Sequence, residues 1–178
     1  MPGSNGLLPN DEFAALRRDM PPLGDWCVLA GYRGSVAHGT FCPDTSDDVD
    51  LMAVCVPPLD RYFGLVQFGS RGTVVRAGPL ADGRTLDLVA YEARKFVGLL
   101  AQGNPNVLCM LWLRPEHYLV LTPAGRLLVD NRAVFSAKSV YNAFVGHARA
   151  EAARTFSQNN MAQELWQADA EIARRGLK

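Results

Sequence analysis

The sequence predicts an α+β fold, a small mixed β-sheet with helices packed on one face and a helical C-terminal region, on three observations. Two apolar runs of strand length, WCVLAGY (26–32) and DVDLMAVCV (48–56), flank a turn built around Gly34 and Ser35. Two more, TVVRAG and RTLDLVAYE, are joined by PLADG, whose Asp-Gly pair is a hairpin-type signal. From Glu92 the apolar period changes: Phe96, Leu99 and Leu100 recur at helical spacing up to Gly103. A chain of 178 residues is long enough for one hydrophobic core with a small helical appendage.

Taken in order, residues 1–10 read as a flexible leader, and Asn10 or Asp11 is placed to cap a short helix that runs to Met20 and stops at Pro21-Pro22. A leader and helix over 1–22 therefore precede a core over 23–135. The first strand ends in RGSVAHG; FCPDTSD (41–47) is loop; the second strand ends at Pro57-Pro58. The hairpin puts Asp87 inside a strand. PNVLCMLWL (105–113) opens with a proline suited to a first helical turn, and Thr122-Pro123 marks another helix start. Residues 136–178 are rich in Ala, Glu, Gln and Arg with few breakers, which predicts a C-terminal helical region packed on the core.

Composition excludes several classes. Eighteen basic and eighteen acidic residues cancel, so there is no global positive field to hold nucleic acid, and any polynucleotide contact must be local. A basic groove of Arg94, Lys95, Arg114 and Arg132 would favour RNA. Cys27, Cys42, Cys55 and Cys109 form no C-x-x-C pair, which suits reduced thiols in a cytoplasm better than disulfides or zinc. MPGSNGLLPND lacks a charged and then apolar leader, and no apolar run reaches bilayer length, so neither export nor a membrane partner is expected.

The chemistry lies in Gly34-Ser35, twelve intervening residues, then Asp48-Val49-Asp50-Leu51. Alternate side chains on a strand share a face, so Asp48 and Asp50 project together while Val49 and Leu51 point into the core. Paired carboxylates repel unless a cation sits between them, and Mg²⁺, a hard ion with oxygen ligands, suits such a pair. Asp87, between Leu86 and Leu88 on another strand, supplies a third acid. Three acids accommodate two metals, one activating an attacking hydroxyl and the other binding a triphosphate and its leaving group. Gly34 permits close backbone approach to a phosphate, and Ser35 adds a hydroxyl near a helix start. The acids are expected on one face of the sheet and the helices on the other.

The stretch GSVAHGTFCPDTSDDVDLMAVCVPPLDRYFGL resembles the signature of DNA polymerase beta-type nucleotidyltransferases, in particular an RNA-repair-associated family. LDLVAYEARKFVGLLAQGNPNVL is similar to that family's third-acid strand, following helix and Asn-Pro-Asn helix start, and LTPAGRLLVDNRAVF to its next block; the likeness spans roughly residues 28–158. The resemblance implies transfer of a nucleotidyl group from a nucleoside triphosphate to a hydroxyl acceptor, RNA or another polynucleotide. By motif position, Asp48, Asp50 and Asp87 would hold two Mg²⁺ ions, with Mn²⁺ as a substitute. Gly34 and Ser35 would take the triphosphate, and Asn104 and Asn106 are secondary candidates. The sequence departs from the pattern at Asp47, Cys109 and His38, none of them a metal ligand.

Two alternatives stay open: transfer to a protein or small molecule, as in toxin-antitoxin or antibiotic-modifying relatives of the same fold, and a non-catalytic nucleotide-binding module. Asp44 and Asp47 read as loop acids and His38 as structural. His117 and His147 have no partner motif. Arg33, Arg84, Arg94 and Lys95 read as solvated charges, and Tyr91, Phe96 and Trp112 as core rather than base-stacking rings.

Overall fold

A computed structural model describes residues 8–42 and 48–158. Contacts divide the chain into two units, Met1–Ala137 and Lys138–Lys178. The first contains a five-stranded sheet in the order β3-β4-β2-β1-β5, with β1 Cys27–Tyr32, β2 Asp48–Cys55, β3 Thr73–Pro79, β4 Thr85–Glu92 and β5 Tyr118–Leu121. β2 and β4 run parallel and the other pairs antiparallel, so the sheet is mixed and the fold α+β, as expected. Its helices are α1 Asn10–Asp19, α2 Gly34–His38, α3 Asp60–Phe63, α4 Ala93–Ala101, α5 Pro105–Cys109 and α6 Pro123–Asp130. In the second unit the described part is one helix, α7 Lys138–Gln158; the rest of the expected C-terminal helical region, from 159 on, lies outside the described residues, as do residues 1–7 of the leader.

Strand alternation builds the core. On β2 and β4 the side chains of Val49, Leu51, Ala53, Leu86, Leu88 and Ala90 are buried together. Phe13 and Leu16 of α1, with Met20 just after it and Trp26, pack against that cluster. α1 begins one residue earlier than its expected caps, with Pro9 in the capping position and no side-chain cap. It is fastened instead at its sides: Ala81 N–H donates to Glu12 Oε1 at 2.7 Å, and Arg17 Nε donates to the Leu23 carbonyl at 3.0 Å.

The opposite face carries Asp48 and Asp50, then the buried Met52 and Val54. Here the structure differs from expectation, because the helix layer covers the acids' own face. Tyr91, of the same parity as Asp87, has its ring 6.3 Å from Phe96 of α4. Met52 shares a cavity with Asn106, Cys109 and Met110 of α5 and the turn after it. The two arrangements are compatible because the strands are long enough to be polar at one end and apolar at the other; α4 and α5 cover the apolar end.

α5 and α6 start as their sequences predict. Asn104 Oδ1 accepts from Asn106 N–H at 3.1 Å with Pro105 in the first turn. Thr122 Oγ1 accepts from Gly125 N–H and donates to the Val28 carbonyl at 2.9 Å, so one hydroxyl caps α6 and ties it to β1. Among the described residues no helix is long and apolar enough to cross a membrane.

Candidate active site

The site forms where β1 runs out. Arg33 continues the extended backbone (φ −128°, ψ −169°), and its N–H donates to the Asp50 carbonyl at 3.0 Å, extending the pairing with β2 by one residue. Gly34 then turns with φ +60° to open α2, a conformation that a side chain disfavours. Space imposes the same residue: a Cβ on Gly34 would collide with the Asp50 carboxylate. The glycine is thus required by the acid as well as by the turn. Ser35 lies in the first turn of α2, where backbone N–H groups lack intrahelical acceptors, and its carbonyl accepts from Thr40 N–H and Phe41 N–H at 2.9 and 3.1 Å, which closes the helix end.

Asp48 and Asp50 project from one face of β2. In the parallel pairing of β2 with β4, Asp50 stands opposite Asp87 and Asp48 opposite Thr85. In-register neighbours on adjacent strands are about 4.8 Å apart, so Asp50 and Asp87 are side by side with no rearrangement of the chain. One guanidinium nitrogen, Arg33 Nη2, joins them at 2.9 Å from Asp50 Oδ1 and 2.6 Å from Asp87 Oδ2. Burial raises the Asp50 pKa; the Arg33 charge opposes that, and the Asp48 and Asp87 charges add to it.

This arrangement fits a divalent cation. Its donors are carboxylate oxygens with an excess of negative charge, and a cationic group, the Arg33 guanidinium, already lies between two of them. Among the described residues no three such side chains stand at metal-ligating spacing as they are, and Arg33 occupies the position between Asp50 and Asp87. Beside the acids a cavity of about 110 Å³ is lined by Arg33, Gly34, His38, Met52, Asn106 and Cys109. It brings Asn106 to the site, whereas Asn104 is occupied in capping α5.

Arg33, read from the sequence as a solvated charge, is instead paired with two of the acids. Its signal was parity: Gly31 pairs with Met52, so Arg33, two residues on, projects on the face of Asp50. That inference needs the β1–β2 register, which spacing alone does not supply. Asp44 and Asp47, read as loop acids, lie outside the described residues.

A mixed sheet that sets acids on two parallel neighbours beside a glycine-opened helix has the plan expected of polymerase beta-like folds. The chain belongs to the RNA repair pathway DNA polymerase beta family, whose model matches residues 16–166. No curated protein matches it.

Proposed function

We propose that the protein is a metal-dependent nucleotidyltransferase that moves a nucleoside monophosphate from a nucleoside triphosphate to a hydroxyl on RNA or another polynucleotide, with release of pyrophosphate. The observation that carries this reading is the register of Asp50 against Asp87, with Gly34 pressed on the Asp50 carboxylate. Family membership supports the same reaction class.

Asp48 and Asp50 would hold both Mg²⁺ ions, and Asp87 the ion nearer the acceptor. When bound, the metals would lower the pKa of the acceptor hydroxyl and neutralise charge on the triphosphate. The chain's own groups do the positioning. Gly34 and Ser35 offer first-turn N–H groups and a hydroxyl to phosphate oxygens, on a backbone bonded to Asp50 and therefore fixed relative to the acids. Arg33 offsets one of the two negative charges of Asp50 and Asp87 before substrate arrives, and on release from them its charge would be free to meet the triphosphate. Four free cysteines suit a cytoplasmic setting.

The zero net charge favours a second reading, transfer to a protein or small molecule. One experiment tests both: each labelled triphosphate is incubated with Mg²⁺ or Mn²⁺ and with total RNA, protein extract or small acceptors. Label should enter RNA and should drop on the order of a thousandfold in Asp50→Asn and Asp87→Asn, a loss of several kcal/mol of transition-state stabilisation. Label that persists in both variants rejects the site; label found only in protein or small molecules selects the second acceptor class.

A further inference from the structure

We infer that a basic cavity at the far end of the sheet binds the backbone of a single-stranded RNA, at a surface separate from the triphosphate site. The inference rests on the proposed function only in taking RNA as the acceptor. The cavity, of about 380 Å³, is lined by Arg61, Tyr62, Arg71, Glu92, Arg94 and Lys95 among others, four cations against one acid in a chain whose net charge is zero. Charge is therefore concentrated here.

The single acid is engaged inward. Glu92 is 7% exposed, its Oε1 accepts from Tyr62 O–H at 3.0 Å and from Arg94 N–H at 2.8 Å, and its Oε2 lies 3.4 Å from Arg94 Nε. The Arg94 guanidinium lies 4.4 Å from the centre of the Tyr62 ring, and Arg61 is placed between Asp60, at 3.6 Å, and the Trp26 ring, at 5.6 Å. Two of the cations are thus held in place by protein groups. The other two, Arg71 and Lys95, are exposed, and neither has an ion-pair partner among the described residues. Arg71 is also the one non-glycine residue at positive φ among the described residues, at 50°, in a tight turn closed by the Ser70–Thr73 bridge. Backbone in that region costs free energy, and the turn fixes where the Arg71 side chain leaves the surface.

Cations alone would suit any polyanion; the neighbouring ring selects among them. Phe63 is 84% exposed next to Tyr62, their ring centroids 6.4 Å apart. Cations that follow a phosphate backbone combined with an aromatic face for unpaired bases are the physical requirements of single-strand binding. Glu92 ends β4 five residues after Asp87, roughly 16 Å along the strand. By strand alternation the Glu92 side chain shares the face of Leu88 and Ala90, opposite Asp87, so the basic cavity is a surface distinct from the triphosphate site. The sequence-based groove is regrouped accordingly: Arg94 and Lys95 belong to this cavity, while Arg132 donates to the Val129 carbonyl and lies over Trp112.

The test is binding of a fluorescent single-stranded RNA of about twelve nucleotides, within the usual site range, to the full chain by anisotropy over a salt series. Arg71→Ser with Lys95→Ser should weaken binding at least tenfold and lower the salt slope by about 1.4, the value for two phosphate contacts on a single strand. Phe63→Ala should weaken it about fivefold or more, as expected for one lost stack. Arg126→Ser, an exposed charge on α6, should leave it within twofold, and melting curves should confirm that every variant is folded. Unchanged affinity in the Arg71/Lys95 variant, an equal loss in Arg126→Ser, no binding by the wild type, or equal binding to anionic lipid vesicles overturns the inference. RNA labelling by a chain whose Arg71/Lys95 variant binds normally removes this surface and leaves the catalytic reading intact. RNA bound here with no nucleotidyl transfer does the reverse.

Discussion

At the scale of single residues the site is organised by a contact between a glycine and an acid. Gly34→Ala meets two penalties, the left-handed backbone and the Asp50 carboxylate. We expect it to lower stability by about 1–2 kcal/mol from the backbone alone, measured by urea denaturation, and to abolish nucleotide-dependent stabilisation. A variant as stable as the wild type would show that the turn relaxes without cost. Arg33 gives a second expectation. In the metal-free protein Arg33→Gln leaves Asp50 and Asp87 facing each other without their cation. Both carboxylates are partly solvated, at 21% and 40% exposure, so the loss should be modest, about 1 kcal/mol. Mg²⁺ should then raise the melting temperature of the variant more than that of the wild type; an equal shift in both would mean that Arg33 and the metal do not share the same ground.

At the scale of elements, two helical glycines make opposite predictions. Gly98 in α4 has nothing within 4 Å of where a Cβ would lie, so Gly98→Ala should stabilise by about 0.5–1 kcal/mol through helix propensity. Gly125 in α6 lies against β1, where a Cβ would collide with the Val28 carbonyl. Gly125→Ala should therefore destabilise, by about 1–3 kcal/mol, the usual range for overpacking. Thermal melts of the two variants measured together check the sign of each. Elements also show where the sequence was and was not legible. The hairpin of β3 and β4, the helix starts at Pro105 and Thr122-Pro123 and the break at Gly103 were readable because each depends on neighbours in the chain. β5 was not. Its four residues, YLVL, have no alternation or turn signal of their own, and they form a strand because the edge of β1 is available to pair with them.

At the scale of the whole molecule, the buried thiols make stability depend on alkaline pH. Burial pushes the Cys27 thiol up to about 12 and the Cys55 thiol still higher, from an ordinary value of 9.0. The unfolded chain releases these protons first, so their contribution is full below pH 9 and is lost as pH rises from 9 toward 12. The slope is about 1.4 kcal/mol per pH unit for each thiol. Melting temperature should fall through that window and fall less in Cys27→Ala measured against its own neutral-pH value; an identical pH profile would refute the assignment. Thiolate supply also sets alkylation, so exposed Cys42 should react with iodoacetamide at pH 8 well before either buried thiol.

The sequence by itself determined the fold class, the three acids and the glycine-serine turn, because these follow from alternation, local turn chemistry and apolar brackets that act over a few residues. It also determined that any polynucleotide contact had to be local, since net charge is a sum over residues that needs no coordinates. Only the tertiary structure decided that Asp50 stands opposite Asp87, that Arg33 bridges them, that helices share the acids' face, and that Arg61 and Arg71 join Arg94 and Lys95. Each of these depends on strand register or on the meeting of distant segments. The free energy that fixes register is the burial of whole faces, a property of paired strands that no single stretch of sequence contains.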